Sequence, residues 1–167
     1  DRVVLTVNNF DQGQLDALTS SPTAAATLAA AVLAAVEAKN LDGVNLDLEG
    51  QGAGDNAGLT RLVDTVSWVM HSANPHYQVT MDTYSSSASG TNGWFDIPAL
   101  AGAVDAFFVM EYNPNLAAAQ GPSSPLTSGM FSDQTAADEY AAVVPPSKVI
   151  LGVPFFGIDW PTSDGTL

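Results

Sequence analysis

The sequence predicts an α/β protein built on a parallel sheet. Short apolar runs rich in β-branched residues, which are typical of buried strands, alternate with longer segments whose apolar residues recur every three or four positions, as in helices. Each strand pattern is separated from the next by a helix or a helix-bearing loop, the connection that parallel neighbours require. At 167 residues the chain is long enough to bury one core, and we expect one domain.

The first half of the chain holds two predicted strands with a long helix between them. Residues 2–7 form an apolar β-branched run, and we predict the first strand there. Ser21 followed by Pro22 is typical of a helix N-cap with proline at the first helical position. The helix is predicted over Ala24–Lys39, and the second strand over residues 44–49 follows after a short connection.

The second half continues the alternation. A packed apolar face predicts a helix over Asn56–Ala73, which ends before Pro75. Three more strands and one helix are predicted beyond it: strands at 78–84, 106–112 and 149–155, and a helix at 135–143. In the strand at 78–84, Asp82 and Tyr84 share a face, and the sequence leaves open whether that face points inward.

The stretch from Asp42 to Gly50 carries the chemistry. Polar and apolar residues alternate strictly along its centre, so a strand sends them to opposite faces; the polar set is Asn45, Asp47 and Glu49. A half-exposed strand with its acids in water would show the same pattern. The helices predicted on both sides favour a strand covered on its outer face, where an acidic inner face is costly unless it is used.

Spacing indicates what the acids do. Alternate residues of a strand rise about 6.6 Å, so Glu49 lies at the carboxyl end of the ladder, where α/β sheets place their active sites, and Asp47 lies directly beneath it. Two carboxyls this close share a proton, which raises one pKa and makes that group a general acid near neutrality. One positioned acid with a partner acid suggests glycoside hydrolysis.

These residues resemble the DGxDxDxE signature of glycoside hydrolase family 18, the chitinase-like (β/α)8 TIM barrels. The match consists of Asp42, Gly43, Asp47 and Glu49, whereas Asn45 stands where chitinases usually have an acid. The same asparagine is common in the branch of spore-cortex and other peptidoglycan-lytic N-acetylglucosaminidases. The substitution bears on how the Asp47–Glu49 pair is tuned and leaves Glu49 as the acid.

Two further motifs follow in the order of the family. The segment 109–113 is similar to the MxYD strand, again with asparagine for the acid, and the resemblance assigns Tyr112 to catalysis and Met110 and Asn113 to substrate contacts. The segment 148–160 resembles the KxxLGxPxYGxDW strand of the peptidoglycan-lytic branch. Its Trp160 either stacks on a sugar or simply packs. Asn45 and Asp82 complete the candidate substrate-binding residues.

Glu111 departs from the family pattern, which usually has a small residue at this position. On the opposite face from Tyr112, it would point towards the helices and need a partner. Arg61 is the candidate partner that the sequence offers.

The resemblance implies which part of the barrel the chain forms. Residues 1–167 would cover strands three to seven of a family 18 catalytic barrel, and we expect a fragment, because an open part-barrel exposes strand edges. The implied reaction is cleavage of β-1,4 bonds next to N-acetylglucosamine in peptidoglycan or chitin, with Glu49 as acid and the substrate's own acetamido group as nucleophile. The alternative is a non-catalytic carbohydrate-binding member of the same fold, although loss of the acid at position 49 is the usual mark of such members.

The composition of the chain makes some classes of binding partner unfavourable. A formal net charge of −14, from 18 acidic and 4 basic residues, disfavours binding to nucleic acid or insertion into an anionic membrane. The chain has no cysteine, so no disulfide or thiolate site is possible, and we expect neither a metal nor a cofactor. Because the chain begins inside a predicted strand, any signal peptide would already have been removed, and we expect a secreted or cell-wall-associated bacterial protein.

Overall fold

Five parallel strands form one sheet in the computed structural model, which describes residues 1–52, 54–112, 122–127, 132–157 and 159. In chain order the elements are β1 (Val4–Asn9), α1 (Gln12–Thr19), α2 (Pro22–Lys39), β2 (Gly43–Leu48), α3 (Asn56–Ala73), β3 (Gln78–Tyr84), α4 (Ile97–Leu100), β4 (Ala106–Met110), α5 (Asp133–Val143), a 3-10 turn (Pro146–Lys148) and β5 (Val149–Gly152).

The strands lie in the order in which the chain forms them, β1 to β5, and every neighbouring pair is parallel. A doubly wound sheet would reverse its order at a switch point, whereas the wall of a (β/α)8 barrel does not. The predicted fold class is confirmed: the described residues form five consecutive strands of such a wall. Strand bounds differ from the predicted ones by two residues at both ends of β1 and by two and three residues at the carboxyl ends of β4 and β5.

One face of the sheet is the core. The side chains that point towards the helices are almost fully buried, and they come from the three central strands: Val44, Leu46, Leu48, Val79, Met81, Phe107 and Val109. The opposite face carries the polar residues of β2. The sequence had predicted this division from the two-residue period alone, and the buried face follows from the hydrophobic gain of covering it with helices.

The helices begin at side-chain caps that the sequence supplies. Ser21 accepts a hydrogen bond from the backbone N–H of Ala24 at the start of α2, and Ser132 does the same for Thr135 at the start of α5. Asn40 ends α2 in the left-handed conformation, with φ of 52°.

Among the described helices, α2 alone is long and apolar enough by composition to cross a membrane. In this structure it packs against α3, and its buried residues are Ala25, Ala29, Val32 and Val36.

Gly43 sets the spacing at the start of β2. Its φ is 154°, and a Cβ placed there would lie 2.0 Å from the carbonyl oxygen of Gln78. Only glycine allows β2 and β3 to approach this closely at the point where the signature strand begins.

Candidate active site

The three polar residues of β2 all point away from the helices. Asn45, Asp47 and Glu49 are half-buried, while the residues between them are buried on the core side. The backbone at the end of this ladder is held on one side by β1, since the N–H of Glu49 donates to the carbonyl oxygen of Asn9 at 3.0 Å. Glu49 therefore lies just beyond the last residue of β2, at the carboxyl edge of the sheet.

A hydrogen-bonded network lies beneath the acids. The Thr80 hydroxyl donates to Asn45 Oδ1 at 2.7 Å, and Asn45 Nδ2 donates to Asp82 Oδ1 at 3.0 Å. Because the amide oxygen of Asn45 accepts the Thr80 bond, the Nδ2–H group is the part of the amide that faces Asp82. The two strands are in register here, with Asn45 opposite Thr80. Asp82 thus points to the inner face, which answers the question that the sequence left open.

The register also places Asp82 beside Asp47. Leu46 and Met81 form the last pair of the β2–β3 ladder, and Asp47 and Asp82 are the residues that directly follow them on the two strands. Burial raises the pKa of Asp82 to about 6, the Asn45 hydrogen bond lowers it, and the charges of Asp47 and Glu49 raise it further. Asp47 has one buried carboxylate oxygen, Oδ1, for which the described part of the chain offers no hydrogen-bond partner.

Glu49 has the environment of a general acid. Burial raises its pKa, and the negative charge of Asp47 raises it further, while hydrogen bonding to the Tyr84 hydroxyl lowers it. The pKa of Asp47 is also raised, by burial. The sequence left open whether the face that carries Tyr84 points inward. In the structure Tyr84 is the side chain that contacts Glu49.

Strand β4, which carries the second motif, has side chains on the same side of the sheet as the acids of β2. Tyr84 pairs with Met110, so Met110 and Tyr112 lie on the side of the sheet that carries the acids. The pKa of Tyr112 is raised by burial first and then by the charges of Asp82, Asp47 and Glu49, which places its hydroxyl within the field of the acid cluster. Asn113 and Trp160 lie outside the described residues.

Glu111 points to the helices, as predicted, but its predicted pairing with Arg61 is wrong. Glu111 is 1% exposed, and neither of its carboxylate oxygens has a hydrogen-bond partner within the described residues. Burial raises the pKa of Glu111 most, and the negative charges of Asp133 and Glu139 raise it further. The nearby Ser85 hydroxyl lowers it. The backbone places Arg61 elsewhere, in a groove on the outer surface between α2 and α3.

Trp94 packs against the carboxyl end of β2, and the sequence analysis did not predict this contact. Its side chain is fully buried, its indole N–H donates to the carbonyl oxygen of Leu48 at 2.9 Å, and its ring leaves no room for a Cβ at Gly50. It lies in a Ser- and Gly-rich loop without periodicity, so no pattern pointed to it. The glycine directly after Glu49 was the one available signal.

A cavity of about 310 Å³ occupies the same face nearer the amino ends of the strands. Thr6, Asn45, Thr80 and Asp82 line its polar part, and Phe108 and Ile150 its apolar part. In a closed barrel this region is filled by side chains of the surrounding strands, so the carboxyl edge with Glu49 is the better candidate for substrate binding. Within the described residues, no three His, Cys, Asp or Glu side chains form a group that could hold a metal ion.

Comparisons with known proteins identify the family of the chain. A family model described as Glycosyl hydrolases family 18 matches residues 4–166. Di-N-acetylchitobiase of Rattus norvegicus is 27% identical over 150 residues, which are 84% of this chain and 39% of the relative. A protein of Bacillus subtilis (strain 168) named as a sporulation-specific glycosylase, YdhD, is 24% identical over 166 residues, or 98% of this chain and 39% of the relative. The chain thus spans about two fifths of both relatives.

Solved structures resemble the fold closely. The C-terminal domain of a protein named as a chitinase from Desulfitobacterium hafniense DCB-2 superposes with a TM-score of 0.81 at 25% identity, over 99% of this chain and 50% of that one. Human YKL-39, described as a pseudo-chitinase with retained chitooligosaccharide binding, superposes with a TM-score of 0.77 at 15% identity. The match covers 92% of this chain and 47% of YKL-39. At that identity the second likeness concerns the fold alone.

Proposed function

The chain belongs to glycosyl hydrolases family 18, as its three motifs predicted, and we propose that it carries the acid pair of a glycosidase that cleaves β-1,4 bonds next to N-acetylglucosamine. The observation that carries the proposal is the position of Asp47 and Glu49. Both lie on the inner face of β2 at the carboxyl edge of the sheet, and the pKa of each is raised by burial. A raised pKa favours the protonated form of Glu49 that a general acid requires.

The arrangement of carboxyls supports a substrate-assisted reaction. A retaining glycosidase needs a nucleophile about 5 Å from its acid across the scissile bond, and an inverting one needs a base farther away. Asp47 lies two residues before Glu49 on the same face of the strand, and Asp82 lies beside Asp47 on β3. Neither carboxyl occupies the opposite face of a sugar bound at Glu49.

The substrate then supplies the nucleophile. The carbonyl oxygen of its 2-acetamido group attacks the anomeric carbon from within the same sugar, an intramolecular step that gains from effective molarity. As that bond forms, the bond to the leaving oxygen breaks and Glu49 gives its proton to that oxygen. Asp47 accepts a hydrogen bond from the acetamido N–H and stabilises the positive charge of the oxazolinium intermediate.

The second half of the reaction restores the enzyme. Glu49, now ionised, takes a proton from a water molecule that attacks the anomeric carbon, and the oxazolinium ring opens with retention of configuration. The Tyr112 hydroxyl would hold the acetamido oxygen in both halves, a role supported by the register that puts Tyr112 on the same side of the sheet as the acids. The chitobiase relative supports chitin-like substrates. The case for peptidoglycan comes from the sequence motifs that resemble the peptidoglycan-lytic branch. We propose peptidoglycan as the first substrate to test, and a secreted or cell-wall-associated site of action.

The first prediction tests the acid. The substitution is made in the full-length protein. Glu49→Gln should lower turnover of chitooligosaccharides or peptidoglycan at least about a hundredfold, because the amide cannot act as a general acid. Ligand binding, measured by calorimetry, should persist. Glu37→Gln is the matched control, since Glu37 is exposed on α2. A Glu49→Gln protein with full activity would refute the proposal.

Two further outcomes distinguish the alternatives. Equal cleavage of substrates with and without the 2-acetamido group would exclude substrate assistance. A wild-type protein that binds chitooligosaccharides but hydrolyses neither polymer would be a carbohydrate-binding protein of the family. The presence of Glu49 favours the enzyme.

A further inference from the structure

Asp82 is a third carboxyl at the site, and its surroundings differ from those of the other two. It lies on β3, one strand away from the signature, at the level of Asp47. Side chains at matched positions of parallel neighbours start about 4.8 Å apart and point to the same face. The carboxyls of Asp47 and Asp82 are therefore neighbours by construction of the sheet.

The hydrogen-bond directions define where a proton can sit on Asp82. The Thr80 hydroxyl donates to Asn45 Oδ1, so the Asn45 amide presents its N–H to Asp82 Oδ1. An oxygen that accepts this bond is not the protonated one. A proton on Asp82 consequently resides on Oδ2, the oxygen that Asn45 does not contact.

Asp47 offers the complementary acceptor. Its Oδ1 is buried and has no hydrogen-bond partner among the residues that the structure describes. A buried carboxylate oxygen left unpaired costs free energy, which a donor from a neighbouring group would recover.

We propose that Asp82 is the positioning residue of Asp47: its Oδ2–H, oriented by the Asn45 amide, donates a hydrogen bond to Asp47 Oδ1. The inference rests on the proposed function for its consequence in the reaction. Position 45, where the family signature usually has an acid, holds an amide that has no acidic proton to share. The neighbouring strand supplies the carboxyl instead, and Asn45 orients it.

The consequence for the reaction is a fixed charge. One proton shared by Asp82 and Asp47 leaves the pair with a single negative charge, on Asp47. The second oxygen of Asp47 stays free to accept the acetamido N–H, and the Asp82 proton does not leave during the cycle. When Asp82 ionises, the two carboxylates repel each other and Asp47 loses both its donor and its orientation.

The pH at which this happens depends on the groups that share the face. The charged and titratable ones are Arg2, Asp47, Glu49, Asp82, Tyr84 and Tyr112. Burial raises the pKa of Asp82 to about 6, with the charges of Asp47 and Glu49 adding to it. The pair titrates as a unit, so the rate should fall as pH rises through this region.

Asparagine and alanine at position 82 separate this role from a mere charge effect. Asp82→Asn keeps a donor towards Asp47 that never ionises, whereas Asp82→Ala removes it. We expect Asp82→Asn to retain at least about ten times the kcat/KM of Asp82→Ala at pH 5, a difference of one good hydrogen bond. The alkaline limb of the Asp82→Asn profile should move to higher pH than in the wild type. Loss of a negative neighbour alone would lower the pKa of Glu49 and move that limb to lower pH in both variants.

A titration without substrate completes the test. With aspartate labelled at the side-chain carboxyl by ¹³C, the NMR titration of Asp47 should show a lower pKa in Asp82→Asn than in Asp82→Ala, because only the amide stabilises the Asp47 carboxylate. Thermal unfolding of both variants checks that each is folded. If Asp47 titrates at the same pH in both, the proposal is wrong, whether or not the protein hydrolyses any polymer. If the variants differ and no polymer is cleaved, the pair stands and the proposed function fails.

Discussion

Tyr84 joins the catalytic acid to the core. Its hydroxyl contacts Glu49, its ring meets Phe95 edge-on at 5.5 Å between centroids, and its carbonyl oxygen accepts a hydrogen bond from the Tyr140 hydroxyl at 3.0 Å. Burial and the neighbouring acids raise the pKa of Tyr84, so the phenol stays protonated and donates. Tyr84 therefore links Glu49 to the core and lowers the Glu49 pKa, against the larger effect of burial.

Tyr84→Phe should raise the pKa of Glu49, because the lost hydrogen bond stabilised its ionised form. A general acid with a higher pKa stays protonated to higher pH, so the alkaline limb of kcat should move to higher pH. The maximal rate should fall less than about tenfold, since phenylalanine keeps the packing and one hydrogen bond of about 1 kcal/mol is lost. Tyr77→Phe, on the loop before β3, is the control in pH–rate profiles. An unmoved limb would contradict this role of Tyr84.

Glu111 gives a prediction about stability. Its folded-state pKa is raised by burial, so the folded protein binds its proton more tightly than the unfolded chain does. The stability that this provides is present below the ordinary pKa of 4.5 and is lost as pH rises through the folded-state pKa. Glu111→Gln cannot ionise, so its free energy of unfolding should exceed that of the wild type by roughly 1–3 kcal/mol at pH 8, and the gain should vanish near pH 4.

Urea unfolding at the two pH values measures this difference. Glu37→Gln, at an exposed position, should show no comparable change with pH. A Glu111→Gln protein that is less stable than the wild type at pH 8 would show that the ionised carboxyl is compensated in the folded state.

At the scale of elements, the loop between β3 and β4 supports the end of β2. Trp94 buries its indole under Gly50 and donates to the carbonyl oxygen of Leu48. The residue between these two contacts is Glu49. The rigidity of the catalytic strand end thus depends on a side chain 45 positions further along the chain.

Trp94→Phe should lower the free energy of unfolding by roughly 1–3 kcal/mol, since it removes a buried donor and leaves a gap beneath Gly50. It should also lower kcat about tenfold or more, with a smaller effect on KM, because the acid is less firmly placed. Trp68→Phe is the matched control: Trp68 is 72% exposed on α3, and its substitution should change stability by less than about 0.5 kcal/mol. Equal effects of the two substitutions would remove Trp94 from the support of the site.

The elements with strong periodicity were predictable, and the others were not. α3 was predicted with its observed bounds, and α2 and α5 to within two residues. Apolar spacing marked α2 and α3, and the Ser21 N-cap marked the start of α2. α1 and α4 were missed: α1 is short and polar with Gly13 inside it, and α4 is a single turn around Pro98. Likewise the β2 ladder was readable from a two-residue period. The contacts of Tyr84, Trp94 and Asp82 depend on strand register, which no local pattern encodes.

At the scale of the whole molecule, two opposing forces act on the 167-residue chain. β1 and β5 are the edge strands of the described sheet, and large apolar side chains are exposed near both, including Val3, Phe155 and Phe156. Open edges promote pairing between chains. The formal net charge of −14 opposes such pairing by repulsion, which salt screens over about 10 Å at 0.1 M.

A protein made of residues 1–167 should therefore associate with itself, and more strongly as salt rises, when its mass is followed by analytical ultracentrifugation. Phe155→Lys should lower this association, because a charge at an apolar edge must be desolvated on pairing. Trp68→Lys changes the net charge equally on the outer surface of α3 and should leave the association unchanged or slightly stronger, since it only weakens the repulsion. Association that weakens with added salt would mean that charge, and not the open sheet edge, holds the chains together.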